Sequence, residues 1–335
     1  MMKPVVFIYT VIVFLIFSGC SHSKWDVDIS NIETRQEIER FDVGLFSVNT
    51  DSIWQQVPKW EQKYGNFFDA YNQQVIKIGG TNQLDYARNL TYFLTEPYIS
   101  GAYADVQVLF KNLPFEHELA DAFKRYYYHF PEKEIPAIYT HISGFNQSIV
   151  IDSGYLSISL DKYLGAGSKY YTMLRTPQYL SANMHPDKIP SDVMFAVAIT
   201  EFPYKSESDD LISQMLYYGK IHLFLDAMLP QMADTLKWGF TKEKLKWCHK
   251  NENLMWLYLV ENKLVFTTNY KEIKRYIDDG PFTSTFSKES PSRTGRWLGY
   301  QIILSYMKTH PEVTLPQLMG DQNYHQLLNE SRYKP

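Results

Sequence analysis

"IPAIYTHISGFNQSIVIDSGYLSISLDKYLG", residues 135–165, is the stretch on which the reading of the fold turns. Apolar and polar residues alternate along it, and β-branched and aromatic side chains are frequent. Ser143-Gly144 and Ser153-Gly154 break it as turns would. Alternation of period two, punctuated by turn residues, marks short strands with one buried face. The expectation is about three short strands forming an antiparallel meander in the middle of the chain.

On either side the period changes. Upstream, "DSIWQQVPKWEQKYGNFFDAYNQQVIKIGG" places Trp60, Tyr64, Phe67, Phe68, Tyr71 and Val75 at helical spacing, and Gly79-Gly80 stops the pattern. A further helix is expected over residues 114–130, closed by Pro131. Downstream, residues 192–204 form a candidate helix. Residues 209–229 form another, capped by "SESDD" and ended by Pro230. One more, near residues 296–308, follows a Ser/Pro-rich loop. Helices, a small sheet, then helices again make an α+β fold that is mainly helical, with a small antiparallel sheet in the middle of the chain. No repeat or low-complexity linker divides residues 31–335, which read as a single domain.

Composition excludes several classes. The chain is 45% hydrophobic and 16% aromatic, well outside the polar signature of disorder. A net charge of −4, with both signs interleaved and no basic block, leaves nothing to track a phosphate backbone, so nucleic acid is not an expected partner. Two cysteines, Cys20 and Cys248, are too few for a disulfide scaffold. Cys248, in "KWCHK", reads as a semi-buried thiol.

The N-terminus carries its own signal. Lys3 precedes a nearly unbroken apolar run over residues 5–17, and "LIFSGCSHSK" then turns polar at once. The run has the length of a signal-peptide core and is too short for the roughly 20 residues that cross a bilayer. Phe17-Ser18-Gly19-Cys20 resembles the lipobox of bacterial lipoproteins, with Phe17 where Leu is commoner. That resemblance implies cleavage after residue 19 and acylation of Cys20. Residues 20–30, the cysteine and "SHSKWDVDIS" after it, then read as a polar tether. Each buried methylene contributes about 0.8 kcal/mol, so several acyl chains would hold a water-soluble domain on membrane lipid. Ser21 follows the cysteine, rather than the Asp of an inner-membrane retention signal or the acidic run of a surface-display signal. The expected place is the bacterial cell envelope, facing the periplasm.

The search for chemistry is mostly negative. None of the nine histidines stands four residues from another, so H-E-x-x-H is absent and no metal or other cofactor is expected. "HELAD" puts His117 and Asp121 four apart on a charged helix, which reads as a solvated face. "AITEFPYK" echoes the zinc motif, with Thr200 and Tyr204 where the imidazoles belong and Glu201 where the general base belongs. Neither a threonine hydroxyl nor a phenol ionises readily near neutrality, so the helix lacks metal ligands, and Glu201 lacks a metal-bound water to activate. Pro203 removes a backbone donor from the same turn. No G-x-S-x-G elbow or phosphate-binding loop is present, and "GAGSK", residues 165–169, reads as a turn. Asp152 and Asp161 flank a predicted strand as a possible carboxylate pair.

Taken together, the lipobox leader, "HISGFNQSIVIDSGYLSISLDKYLG", "YLSANMHPDKIPSDVMFAVAITEFPYK" and "SPSRTGRWLGYQIILSYM" resemble the gliding-motility lipoprotein GldB family along nearly the whole chain. "LDKYLG" and R-x-G-x-W-L-G-Y are the sharpest parts. The resemblance implies a lipid-anchored envelope protein linked to surface gliding and the associated protein-secretion system, with other envelope proteins as partners. It further implies a degenerate zincin-like metallopeptidase architecture. On that alignment Thr200 and Tyr204 replace two ligands, Tyr218 in "LYYGK" replaces the third, and Glu201 is kept. Those four residues are the expected vestigial site or cleft, with no catalytic residue and no metal. A non-catalytic, partner-binding lipoprotein is the expected function. An envelope hydrolase drawing on distant His141, His185 or His222, and a glycan-binding lipoprotein, are the alternatives.

Overall fold

The computed structural model describes residues 24–34 and 37–335. The expected leader and Cys20 lie outside the described residues. The N-terminal part holds α1 (Phe41–Phe46), α2 (Ile53–Tyr64), α3 (Asn66–Ala70), α4 (Tyr86–Thr95), α5 (Pro97–Leu109) and α6 (Glu116–His129). The sheet comprises β1 (Ile38–Glu39), β2 (Ala137–His141), β3 (Ile149–Asp152) and β4 (Tyr155–Ser159). After the short helices α7 (Lys169–Met173) and α8 (Gln178–Ser181) come α9 (Ile189–Glu201), α10 (Leu211–Met228), α11 (Asp234–Trp238) and α12 (Lys242–Glu261). The chain closes with α13 (Tyr270–Ile277), α14 (Thr294–Thr309), α15 (Leu315–Gly320) and α16 (Tyr324–Ser331). The α+β, mainly helical class read from the sequence holds, and α6, α10 and α14 fall within two residues of their expected ends.

The sheet is mixed where an antiparallel meander was expected. Its order is β1-β2-β4-β3, with β1–β2 and β2–β4 parallel and only β3–β4 antiparallel. The Ser153-Gly154 turn does make a hairpin, Gly154 taking a φ of +83°. Ser143-Gly144 does not. There the buried Asp161 carboxylate accepts from the backbone N–H of Ser143 at 3.1 Å and of Phe145 at 2.7 Å, and from Ser159 Oγ at 2.5 Å. Gly144 and Phe145 both adopt left-handed backbone, so the chain leaves the sheet and β4 inserts beside β2. Asp161 is thereby committed to a loop, while Asp152 sits exposed at the hairpin, and the two carboxylates serve separate local turns.

Period two survives the change of topology. Ile138, Ile149, Ile151, Leu156 and Ile158 face the large helical core; Tyr139, Val150 and Tyr155 face a smaller aromatic cluster built on α1 to α4. The helix expected across residues 60–75 is divided: Gly65, at φ +49°, ends α2, and α3 opens into a π turn at Tyr71–Val75.

Helix α10 is the centre of the main core, apolar all round and buried on nearly every side, as an interior helix must be. It crosses α14 with the backbones in contact: a Cβ on Gly299 would stand 1.8 Å from the Met215 carbonyl oxygen, and one on Gly219 would stand 2.5 Å from Gly299. The final glycine of the R-x-G-x-W-L-G-Y stretch is therefore a crossing point, since only a residue without a side chain permits that approach.

Candidate functional site

Helix α9 ends at Glu201. Phe202 caps it with φ −125° and ψ 68°, and Pro203, which cannot donate a backbone hydrogen bond, lies beyond the last turn. The expected continuation to residue 204 does not form. Thr200 is exposed on the last turn and Tyr204 belongs to the following loop, so positions 200 and 204 do not share a helical face. The four-residue spacing that makes H-E-x-x-H a chelate requires an unbroken helix, and this backbone does not provide one.

Each remaining residue of the expected site has a different neighbour. Glu201 Oε2 accepts from Lys133 Nζ at 2.7 Å. Tyr204 packs edge-on against Tyr217 and stacks on Tyr324, with ring centroids at 5.3 and 5.8 Å. Tyr218 points another way, one step round α10: it stacks parallel to Phe195 and lies under the Arg296 guanidinium, 3.8 Å from the ring centre. Burial holds the Arg296 guanidinium down to about 10, and its Nε donates to the Ile277 carbonyl at 2.7 Å. Of the expected residues only Glu201 lines the recess, beside Tyr217; Tyr204 packs against Tyr217, and Tyr218 belongs to the packing behind it.

Glu201 and Tyr217 line a cleft. The loop at residues 202–210 forms one wall and residues 319–325, the corner between α15 and α16, form the other. The outer part has a volume of about 610 Å³; a recess of about 170 Å³ lies beneath it, floored by Glu201, Phe202, Tyr217, Lys220 and Tyr324. Lys220 is buried, and its Nζ donates to the Asp321 carbonyl and, at 3.3 Å, to the Met319 carbonyl, capping the C-terminal end of α15. Burial pushes its ammonium down to about 8 despite the opposing charge of Asp321. Burial likewise raises the Tyr204 and Tyr217 phenols to about 12.

The mouth holds Ser208, Asp210 and His325. Asp210 caps α10 through the Ser213 N–H at 3.0 Å, and burial of its carboxyl is outweighed by hydrogen bonds from Ser213, His325 and Ser208 that keep it below the usual range. Although the residue types are those of a hydrolytic triad, the geometry differs. Asp210 Oδ2 at 2.7 Å and Ser208 Oγ at 3.2 Å both address the same ring nitrogen, His325 Nε2, and Ser208 Oγ itself donates to Asp210 at 2.9 Å. A triad places acid and nucleophile on opposite nitrogens, so that one steers the ring while the other loses its proton. This cluster ties the 202–210 loop to α16.

The other histidines stand apart from the cleft. His141 is buried on β2 with its Nδ1 against Ser157 Oγ, His185 lies 4.0 Å from Asp187, and His222 is buried flat against Trp238 at 3.5 Å. Among the described residues no three His, Cys, Asp or Glu side chains gather as a metal site. His117 is solvent-facing beside Asp121, and Cys248 is fully buried, its thiol raised to about 12 by that burial. Of the cleft residues missed in the sequence, Lys220 had a visible signal: it is the one lysine in the largely apolar run "LISQMLYYGKIHLFLDAML". His325 and Tyr324 had none, because only the fold brings α16 to this loop.

No helix among the described residues is long and apolar enough to cross a membrane. Comparison with curated proteins finds no match, and neither does comparison with solved structures. One family description, "Gliding motility protein GldB", matches residues 22–335, which spans the whole described fold from the Trp25 segment to α16. The chain belongs to the gliding motility protein GldB family of lipoproteins.

Proposed function

We propose that this protein is a non-catalytic, lipid-anchored component of the bacterial cell envelope, acylated on Cys20 and facing the periplasm, that binds other envelope proteins of a gliding-motility or associated secretion machinery. The binding site is the cleft between residues 202–210 and 319–325. One observation carries the reading: the carboxylate at the general-base position of the expected catalytic helix, Glu201, is ion-paired to Lys133 at 2.7 Å in the wall of a cleft floored by Tyr217 and Tyr324, on a helix that stops at that residue. The rings of Tyr217 and Tyr324 form a rigid, mostly buried floor, and the surrounding Lys205, Glu207 and Gln322 supply a polar rim, the layout of a protein-binding surface.

A photo-reactive amino acid at the exposed Gln322, introduced in the native host, tests it. The expected result is a discrete adduct with an envelope protein that disappears in the Lys205→Glu, Glu207→Arg double variant. A stable, membrane-localised protein that gives no adduct would overturn the binding role of the cleft.

A further inference from the structure

The segment expected as a free tether is docked from Lys24 onward. Trp25 is 8% exposed and sits in the main core, edge-on to His129 at the end of α6. Lys24 Nζ donates to the Pro311 and Val313 carbonyls at 2.7 and 3.1 Å, and Asp26 accepts from Gln231 at 3.0 Å. The first described residues are thus pinned where three segments meet: the end of α6, the loop after α10 and the loop before α15. Only Ser21, His22 and Ser23 separate Lys24 from Cys20.

We infer that this face of the protein rests on the lipid bilayer and that the cleft is held at the membrane surface. The inference rests on acylation of Cys20. A fully extended chain spans at most about 3.6 Å per residue, so the leash reaches about 14 Å. A domain of this length is on the order of 50 Å across. A leash so much shorter than the body it holds cannot let the opposite side turn to the lipid. The surface beside the attachment is suited to the headgroup region. Tyr127 and Tyr128 are 43% and 51% exposed there, Tyr128 lying against His129 at 5.1 Å, and amphipathic rings favour that depth. Lys24, Lys133 and Lys308 in these segments are offset by Asp26, Asp28, Glu132 and Glu312, so the leash and the aromatic edges position the domain, rather than attraction to anionic lipid.

The cleft follows from the same geometry. Trp25 reaches its floor through ring contacts to His129 (6.2 Å), from there to Phe130 (6.4 Å) and on to Phe202 (5.2 Å); Lys133, just past α6, pairs with Glu201. On its other side, α15 follows directly from the loop that Lys24 grips and contributes Met319 and Gly320 to the recess. A partner that enters this cleft does so close to the membrane plane, which favours the juxtamembrane segment of a membrane-bound protein.

The test uses the full chain, acylated in cells and reconstituted into phosphatidylcholine vesicles. The exposed Tyr128→Cys position carries an environment-sensitive fluorophore, while the buried Cys248 stays unlabelled. Lipids with a spin label near the headgroup should quench it strongly. Inserting about 20 Gly/Ser residues between Ser23 and Lys24, whose r.m.s. reach is about 25 Å, should reduce that quenching severalfold. Mass spectrometry of the same sample reports acylation. An acylated chain with no quenching at residue 128, or quenching unaffected by the insertion, overturns this inference alone. A chain that stays unacylated overturns it together with the anchor on which it rests.

Discussion

Replacing Gly299 with alanine probes the crossing on which the whole helical layer hangs. The new Cβ would stand 1.8 Å from the Met215 carbonyl oxygen and 2.3 Å from its carbon, where ordinary contact begins at 3.4 Å. Both obstacles are backbone, so no side chain can swing aside, and α10 and α14 would have to part by roughly 1.5 Å. A gap of about 1 Å already forfeits up to half of a dispersion contact. The residues along this seam, Met215, Leu216, Trp297, Ile302 and Ile303, are all buried. Overpacking costs about 1–3 kcal/mol or more, against about 1 kcal/mol returned by alanine's better helix propensity. We expect a net loss of about 2 kcal/mol, the upper end of that range less the propensity gain, because the clash is with backbone atoms. Gly320→Ala is the control: at the end of α15 its Cβ meets nothing within 4 Å, and stability should stay within about 0.5 kcal/mol of the parent. Urea unfolding of the mature chain, compared at a common m value, measures both. A Gly299→Ala protein as stable as the parent would refute the close crossing and with it the explanation of that glycine.

Other substitutions read other parts of the structure. Trp25→Ala should cost about 3–4 kcal/mol by urea unfolding, since it empties a core position; a near-neutral effect would mean that the segment is a free tether after all. His222 is buried flat on Trp238, and burial, with the nearby Arg293, Arg296, Lys188 and Lys237, holds its imidazole far below 6.5 and neutral in the fold. The unfolded chain therefore binds the extra proton, so this histidine's contribution is complete above pH 6.5 and declines as pH falls. Relative to His222→Phe, the parent should lose about 1 kcal/mol between pH 6.5 and 5.5; a constant difference would contradict a buried neutral ring. Arg296→Lys should cost about 1–2 kcal/mol, because an ammonium keeps the charge but neither the planar stack on Tyr218 nor the Nε hydrogen bond to Ile277; equal stability would show that charge alone matters there.

The sequence carried the periodicities well and the long-range pairings poorly. Alternation in residues 135–165 located β2, β3 and β4, because period two is local, but the single buried face expected of them is in fact two packed faces. It could not locate β1, two residues whose pairing depends on β2, nor the parallel insertion of β4, which Asp161 brings about by bonding across a loop. Likewise, Thr200, Glu201 and Tyr204 were legible as a motif lacking imidazoles. Pro203, which removes a backbone donor there, pointed to the stop before residue 204, but the expected helix ran on to that residue. Tyr218 was grouped with them by linear alignment, yet α10 turns by about 100° per residue, and Tyr217, its neighbour, is the one that faces the cleft. The second wall, from Met319 to His325, lies more than a hundred residues away, and no periodicity links it to the first.

The most direct test of a binding role without chemistry is complementation by Glu201→Gln in a host from which the gene has been deleted, scored by recovery of surface movement or secretion. Glutamine keeps the shape of the side chain and an oxygen to accept from Lys133, whereas loss of a general base typically lowers turnover by about 10²–10⁴-fold. The account predicts recovery equal to that of the parent at equal protein level. A stably produced, correctly localised Glu201→Gln protein that fails to restore the phenotype would contradict it.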